Sequence, residues 1–161
     1  VGSRPGSREG SHRDAGDGKG RSSAMFFGLH ERQLDDKGRV ALPATFRDDL
    51  GERCVLVFGD SRCIEVHSAD AFEARAAEVR DEVKRGVATM ARQRALAHSA
   101  TPVSVDRQGR ITVEERLREF AHLSLSSKVI VTGNIDRVEL WNDGVYREIA
   151  ERSRAEMAAM P

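Results

Sequence analysis

Apolar and polar residues along this chain fall into short runs whose period changes every few positions, and each change marks an element. Val40 and Leu42 alternate with Ala41 and read as a strand leaving a turn at residues 35–39. Pro43 fits the first position of a helix, where its missing N–H costs nothing, and Phe46 and Leu50 mark the buried side of that helix before Gly51 closes it. The unbroken run Cys54-Val55-Leu56-Val57-Phe58 suits a strand buried on both faces. Gly59-Asp60-Ser61 turns the chain, and Ile64 and Val66 alternate with Cys63, Glu65 and His67 in a returning strand. Ahead of these, residues 25–34 read as a short apolar entry followed by the polar segment His30-Glu31-Arg32-Gln33.

Ser68 or Asp70 can cap a longer helix with Phe72, Ala76, Val79 and Val83 on one face. Gly86 interrupts it, and residues 87–97 resume as an Arg-rich helix with the chemistry of a connector. The order then repeats. Val103 and Val105 precede a turn at residues 106–110, followed by Ile111 and Val113, a helix with Leu117 and Ala121, the run Val129-Ile130-Val131, and the strand Val138-Glu139-Leu140-Trp141. A final helix over residues 143–160 carries Tyr146, Ile149, Ala150, Ser153 and Met157 on one side, a face long enough for part of it to meet another subunit.

The repeat is clearest in its turns. Asp35-Asp36-Lys37-Gly38-Arg39 is matched by Asp106-Arg107-Gln108-Gly109-Arg110, and each leads through a strand into an amphipathic segment ending in Arg. Gly38 and Gly109 are 71 positions apart, whereas Gly59 and Gly133, Glu65 and Glu139, and Phe72 and Tyr146 are each 74 apart. The slip fits a loop insertion between two halves packed around a pseudo-twofold axis.

Composition narrows the chemistry. In 161 residues there is room for one ordinary domain or two small halves sharing a core. The 26 Lys and Arg balance the 26 Asp and Glu, so any nucleic-acid site must be local. Cys54 and Cys63 make neither a disulfide framework nor a metal knuckle, which agrees with a reduced cytosolic compartment. No apolar run is long enough for a membrane span, and no signal-peptide core is evident. Residues 1–24 are rich in Gly, Ser, Arg and Asp and are expected to be disordered. They read as a leftover of expression or start-site choice ahead of Met25, the competing reading being a DNA-touching arm with Arg4, Arg8, Arg13, Lys19 and Arg21.

Catalysis finds little support. His12, His30, His67, His98 and His122 are scattered without metal-ligand spacing and read as solvated or partly buried side chains. Ser126-Ser127 lacks a nucleophile elbow, the cysteines read as small core residues, and the acidic pairs Asp35-Asp36 and Glu114-Glu115 as solvated surface. No enzyme, metal, cofactor or small-molecule substrate is expected. The duplicated turn offers different chemistry: Asp35 and Asp106 accept backbone N–H bonds two residues on, and Gly38 and Gly109 permit positive φ and close approach. Lys37 and Arg39 in one loop, and Arg107 and Arg110 in the other, then project from a rigid hairpin. Arg suits both phosphate and the guanine edge, and a two-stranded ribbon fits the major groove. A good turn makes no demand for Arg after its Gly, so two copies with Arg in one place favour double-stranded DNA over a purely structural role.

Over residues 25 to about 150 the chain resembles the MraZ family of bacterial transcription regulators, tandem relatives of the AbrB/SpoVT swapped-hairpin fold. The resemblance is carried by Met25-Phe26-Phe27-Gly28, by residues 35–47 and 106–113, and by Val138-Glu139-Leu140-Trp141. It implies an α+β fold of two pseudo-symmetric AbrB-like halves around a small β-barrel-like core, with short helices and longer flanking ones. The divisions expected are an extension at 1–24, a first half at 25–75, a helical connector at 76–100 and a second half at 101–161. It further implies a homo-oligomeric ring in the cytoplasm, associated with the nucleoid, presenting loops to direct repeats in the promoter of the division and cell-wall gene cluster. Arg39 is then the expected chief contact, with Lys37 beside it. Glu114 departs from the family pattern, which has Pro there, and with Glu115 sets negative charge near Arg110, so the second loop is expected to contact DNA less or mainly to maintain the fold. The alternative is an AbrB-fold protein-interaction module, such as an antitoxin-like partner.

Overall fold

The structure, a computed structural model, describes residue 2 and residues 24–161. The expectations for residues 1–24 therefore lie outside the described residues, apart from Gly2 and Ala24. The first series of elements is β1 (Leu29–Leu34), β2 (Arg39–Ala41), α1 (Ala44–Leu50), β3 (Arg53–Phe58), β4 (Ile64–Ser68) and α2 (Ala69–Lys84). After a connecting helix, α3 (Met90–Ser99), the second series is β5 (Thr101–Ser104), β6 (Arg110–Thr112), α4 (Glu115–Ala121), β7 (Ser127–Asn134), β8 (Arg137–Asn142) and α5 (Asp143–Ala159).

Equivalent elements keep the spacing read from the motifs. β6 and α4 follow β2 and α1 at 71 positions, and α5 begins 74 positions after α2. The slip falls after the short helix: two residues, Gly51 and Glu52, join α1 to β3, while residues 122–126 join α4 to β7.

Side-chain chemistry sets the helix starts. Ser68 Oγ accepts the Ala71 N–H at 3.2 Å ahead of α2, Thr89 Oγ1 accepts the Arg92 N–H at 3.2 Å ahead of α3, and Asn142 Oδ1 accepts the Val145 N–H at 3.0 Å ahead of α5. Pro43 lies one place earlier than expected. It is the residue before α1, extended at ψ 138°, and its carbonyl accepts the Phe46 and Arg47 N–H groups at 2.9 and 3.2 Å.

The strands form an antiparallel sheet in the order β1-β7-β8-β4-β3-β5 and a separate two-stranded ribbon, β2-β6. Chain-neighbouring strands pair only as β3–β4 and β7–β8; the pairings β1–β7, β3–β5, β4–β8 and β2–β6 all join the first series to the second. Neither series can complete its sheet alone. One face of the sheet meets the ribbon and the two short helices, where Leu34, Val40, Phe46, Leu50, Leu56, Ile64, Ile111, Leu117 and Leu140 form the main core. On the other face Cys63, Ile130 and Trp141 pack with Val145, Tyr146 and Ile149 of α5.

Two features go beyond the sequence pattern. Residues 30–33, read only as a polar segment, are most of β1, an edge strand in which His30 and Arg32 are half-buried while Glu31 and Gln33 are exposed. Glu65 and His67 alternate with Ile64 and Val66, yet both are 2% exposed, because helices cover the outer face of the sheet as well. His67 Nε2 lies 2.8 Å from Glu65 Oε1, and Arg137 Nη1 lies 3.2 Å from Glu65 Oε2. Arg75 of α2 adds a longer contact at 3.7 Å. The register places Glu65 directly opposite Glu139. Like charges so placed repel, and the site resolves this by making the pair unequal. Burial works to raise the Glu65 carboxyl, but His67, Arg137 and Arg75 outweigh it and hold the group below the usual carboxylate range. Burial and the charge of Glu65 push Glu139 up, against a hydrogen bond from Asn134.

Candidate nucleic-acid interface

The duplicated turns have the same construction almost atom for atom. Asp35 Oδ1 accepts the backbone N–H groups of Lys37 (2.9 Å) and Arg39 (2.8 Å), and its carbonyl accepts the Gly38 N–H at 3.2 Å. Asp106 Oδ1 accepts the N–H groups of Gln108 and Arg110, both at 2.9 Å, and its carbonyl accepts the Gly109 N–H at 2.9 Å. Gly38 and Gly109 stand at φ +78° and +76°, a region an L side chain enters with strain.

One backbone bond closes each turn, from the Asp35 N–H to the Arg39 carbonyl and from the Asp106 N–H to the Arg110 carbonyl, both at 2.9 Å, but the flanking strands do not pair with each other. Each connects a strand of the large sheet to a strand of the ribbon, and the ribbon pairs one series with the other: Arg39 opposite Thr112, Val40 opposite Ile111, Ala41 opposite Arg110. The two loops therefore lie side by side on one structure.

The cations divide into two kinds. Lys37 and Arg107 are exposed at the loop tips, and neither makes an ion pair among the described residues. Arg39 and Arg110 do not project freely as expected. Arg39 Nε donates to Asp35 Oδ2 at 2.7 Å and Arg110 Nε to Asp106 Oδ2 at 2.9 Å, leaving those side chains about 30% and 26% exposed. Arg110 Nη1 also comes within 4.0 Å of Asp35 Oδ2, so one carboxylate faces the arginines of both loops. The Arg39 backbone N–H is the main reason the Asp35 carboxyl is held down to about 2; some desolvation opposes it, and the Arg39 side chain adds to it. The Arg110 N–H acts in the same way on Asp106. Each loop is thus a carboxylate-fixed nest that holds its arginine by Nε, with Arg110 Nη1 also drawn toward Asp35.

Glu114 immediately precedes α4, at the helix start where it was expected. Its carboxylate receives Arg116 Nη2 at 3.1 Å and Nε at 3.2 Å, with Thr101 Oγ1 at 3.3 Å, so its charge is engaged at the start of α4. Cys54 and Cys63 are both free and buried; burial pushes the Cys54 thiol up to about 11, and burial with nearby carboxylates raises Cys63 further. Among the described residues no cluster of His, Cys, Asp and Glu could hold a metal, and no helix is long and apolar enough to cross a membrane.

Two site residues were not singled out from the sequence. Arg47 and Arg118 end the amphipathic segments, each eight positions after its motif arginine, and that shared spacing was the available signal. The Arg47 guanidinium lies where a Cβ at Gly109 would be, while Arg118 lies over Gly38.

Comparison with known proteins agrees with this architecture. The sequence model of the family described as "MraZ protein, putative antitoxin-like" matches twice, over residues 25–94 and 96–160. The chain belongs to the MraZ family. It is 34% identical over 140 residues to the transcriptional regulator MraZ of Cutibacterium acnes, covering 84% of this chain and 94% of that protein. The protein of the same name from Nocardioides sp. is 38% identical over 137 residues, covering 84% and 92% of the two chains. That from Corynebacterium jeikeium is 39% identical over 118 residues, covering 73% and 81%. The family is one of transcriptional regulators rather than enzymes.

Proposed function

We propose that this protein regulates transcription by binding double-stranded DNA at direct repeats in the promoter of the division and cell-wall gene cluster, through the paired loops at residues 35–39 and 106–110. The observation that carries the reading is the duplicated Asp-fixed nest, which presents Lys37, Arg39, Arg107 and Arg110 from one ribbon. Asp35, Gly38, Asp106 and Gly109 shape the turns; the four cations make the contacts, and Arg39 with Lys37 leads. A balanced charge of 26 against 26 is compatible with this, because a ring of subunits engaging repeated boxes multiplies weak local contacts.

The finer architecture belongs to the same proposal. The two series are AbrB-like halves, at residues 25–75 and 101–161, joined by a connector at 76–100 and related by a pseudo-twofold axis about a small barrel-like core. The exchange of strands between the series supports it. Assembly into a homo-oligomeric ring and residence in the cytoplasm at the nucleoid follow from this reading.

Arg39→Ala is expected to cut affinity for promoter-repeat DNA by about 1–3 kcal/mol per subunit contact while folding and assembly persist. A gel shift against the promoter of the chain's own operon reads this, and undiminished binding by a folded variant would sink the assignment. The family description's "antitoxin-like" keeps a second reading, a protein-interaction module. Failure of the unaltered protein to shift that promoter would favour it.

A further inference from the structure

We infer that the loops are latched in trans: the arginine midway along each short helix positions the DNA-reading loop of the opposite half, so Arg118 governs the loop of Arg39 and Arg47 the loop of Arg110. The inference rests on the proposed DNA-binding role of those loops, but its geometry stands apart from it.

The contacts run crosswise. The Val113 N–H donates to the Gly38 carbonyl at 2.8 Å, and the Leu42 N–H donates to the Gly109 carbonyl at 2.9 Å. Each loop glycine is thus pinned by the residue just past the ribbon strand of the other half. Arg118 Nε donates to the Val113 carbonyl at 3.0 Å, so it braces the residue whose N–H holds Gly38. A Cβ at Gly38 would come within 3.0 Å of the Val113 oxygen and 3.3 Å of Arg118 Nε. On the other side the Arg47 guanidinium and its Cδ fill the space over Gly109. Gly38 and Gly109 are buried, although Lys37 and Arg107 beside them are exposed, because these arginines cover them.

This arrangement sets what each arginine does. Arg118 and Arg47 are half-buried under the loops, where Arg118 holds backbone and Arg47 packs against glycine. Arg39 Nε is fixed by Asp35, whose own position depends on the turn that Gly38 closes. Removing Arg118 therefore loosens the aim of Arg39 without removing a DNA-contacting group. The two halves cannot be tuned independently.

The test compares Arg118→Met, Arg118→Lys and Arg47→Met in the full-length protein. Amide hydrogen exchange, followed by mass spectrometry without DNA, is expected to quicken over residues 35–39 in both Arg118 variants and over residues 106–110 in Arg47→Met. The crossed pattern is the signature. Faster exchange in the loop of the mutated residue's own half, or in neither loop, overturns the inference. Fluorescence anisotropy with promoter-repeat duplex is expected to show a roughly 2- to 30-fold loss for Arg118→Met. The loss should persist in Arg118→Lys, since Lys restores charge but not the planar Nε–H; full rescue by Lys would identify a direct phosphate contact and overturn the positioning role. If Arg118→Met does not fold, Arg118→Lys, which keeps charge and stem, carries both measurements. If the unaltered protein fails to bind the duplex, the proposed function falls, while the exchange pattern still decides the latch.

Discussion

At the scale of single residues, the aspartates do more than open a turn. Asp35 accepts two backbone N–H groups and a guanidinium N–H, each favouring the ionised carboxyl, and its value is held down to about 2 against an ordinary 3.8. A group whose folded value is depressed contributes stability above its unfolded value and loses it as pH falls through the folded one. The loop should therefore stay formed down to about pH 4 and come apart toward pH 2. The Asp35 carboxyl carbon, followed by NMR through acid, should titrate near the lower end of that window. A midpoint at or above 3.8 would mean the nest is not formed in solution. The need for Asp and Gly was legible in the motif, since few residues can accept locally or take positive φ. The clamping of Arg39 and Arg110 was not, because a side chain's partner is not encoded by its spacing alone.

At the scale of elements, β4 and β8 show what periodicity misses. Alternation assigned Glu65 and His67 to an outer face, correctly for the strand's geometry, but that face is covered and not wet. Burial of an ionised carboxylate is tolerable only with partners, and Glu65 has His67, Arg137 and Arg75 around it. Glu65→Ala leaves those groups buried without their anion and is expected to destabilise the fold by about 3–5 kcal/mol. Denaturant unfolding reads the loss; a cost under about 1 kcal/mol would show that the cluster is hydrated and contributes little. The edge strand β1 was missed for a related reason. His30-Glu31-Arg32-Gln33 has the polarity of a loop, and only pairing with β7 makes it a strand.

At the scale of the whole molecule, charge balance requires the proposed DNA contact to be local. Lys37 and Arg107 are exposed and unpaired among the described residues, whereas Arg39 and Arg110 already hold carboxylates. Each phosphate neutralised contributes about −0.9 to the slope of log affinity against log salt. If only the free cations meet phosphate, the slope should be roughly −2 per bound subunit, steepening as more subunits of an assembly engage the repeats. A salt series on repeat-containing duplex measures it. A slope near zero would show that the loops do not neutralise phosphate, and roughly −4 per subunit would show Arg39 and Arg110 giving up their aspartates to DNA.

The sequence by itself determined the two turns, the glycines that need positive φ, the strand and short helix after each motif, and the three-residue slip between copies. These are local: they follow from residues that bond to near neighbours or must adopt a particular φ. Only the tertiary structure decided that β2 pairs with β6, that β1 completes its ladder on β7 and β5 on β3, and that Glu65 faces Glu139 under helices. It also decided that Arg47 and Arg118 lie under loops of the opposite half. Those facts depend on which surfaces meet across about 45 or more residues of chain. A period of two or of 3.6 fixes the face a side chain takes, not what comes to cover it.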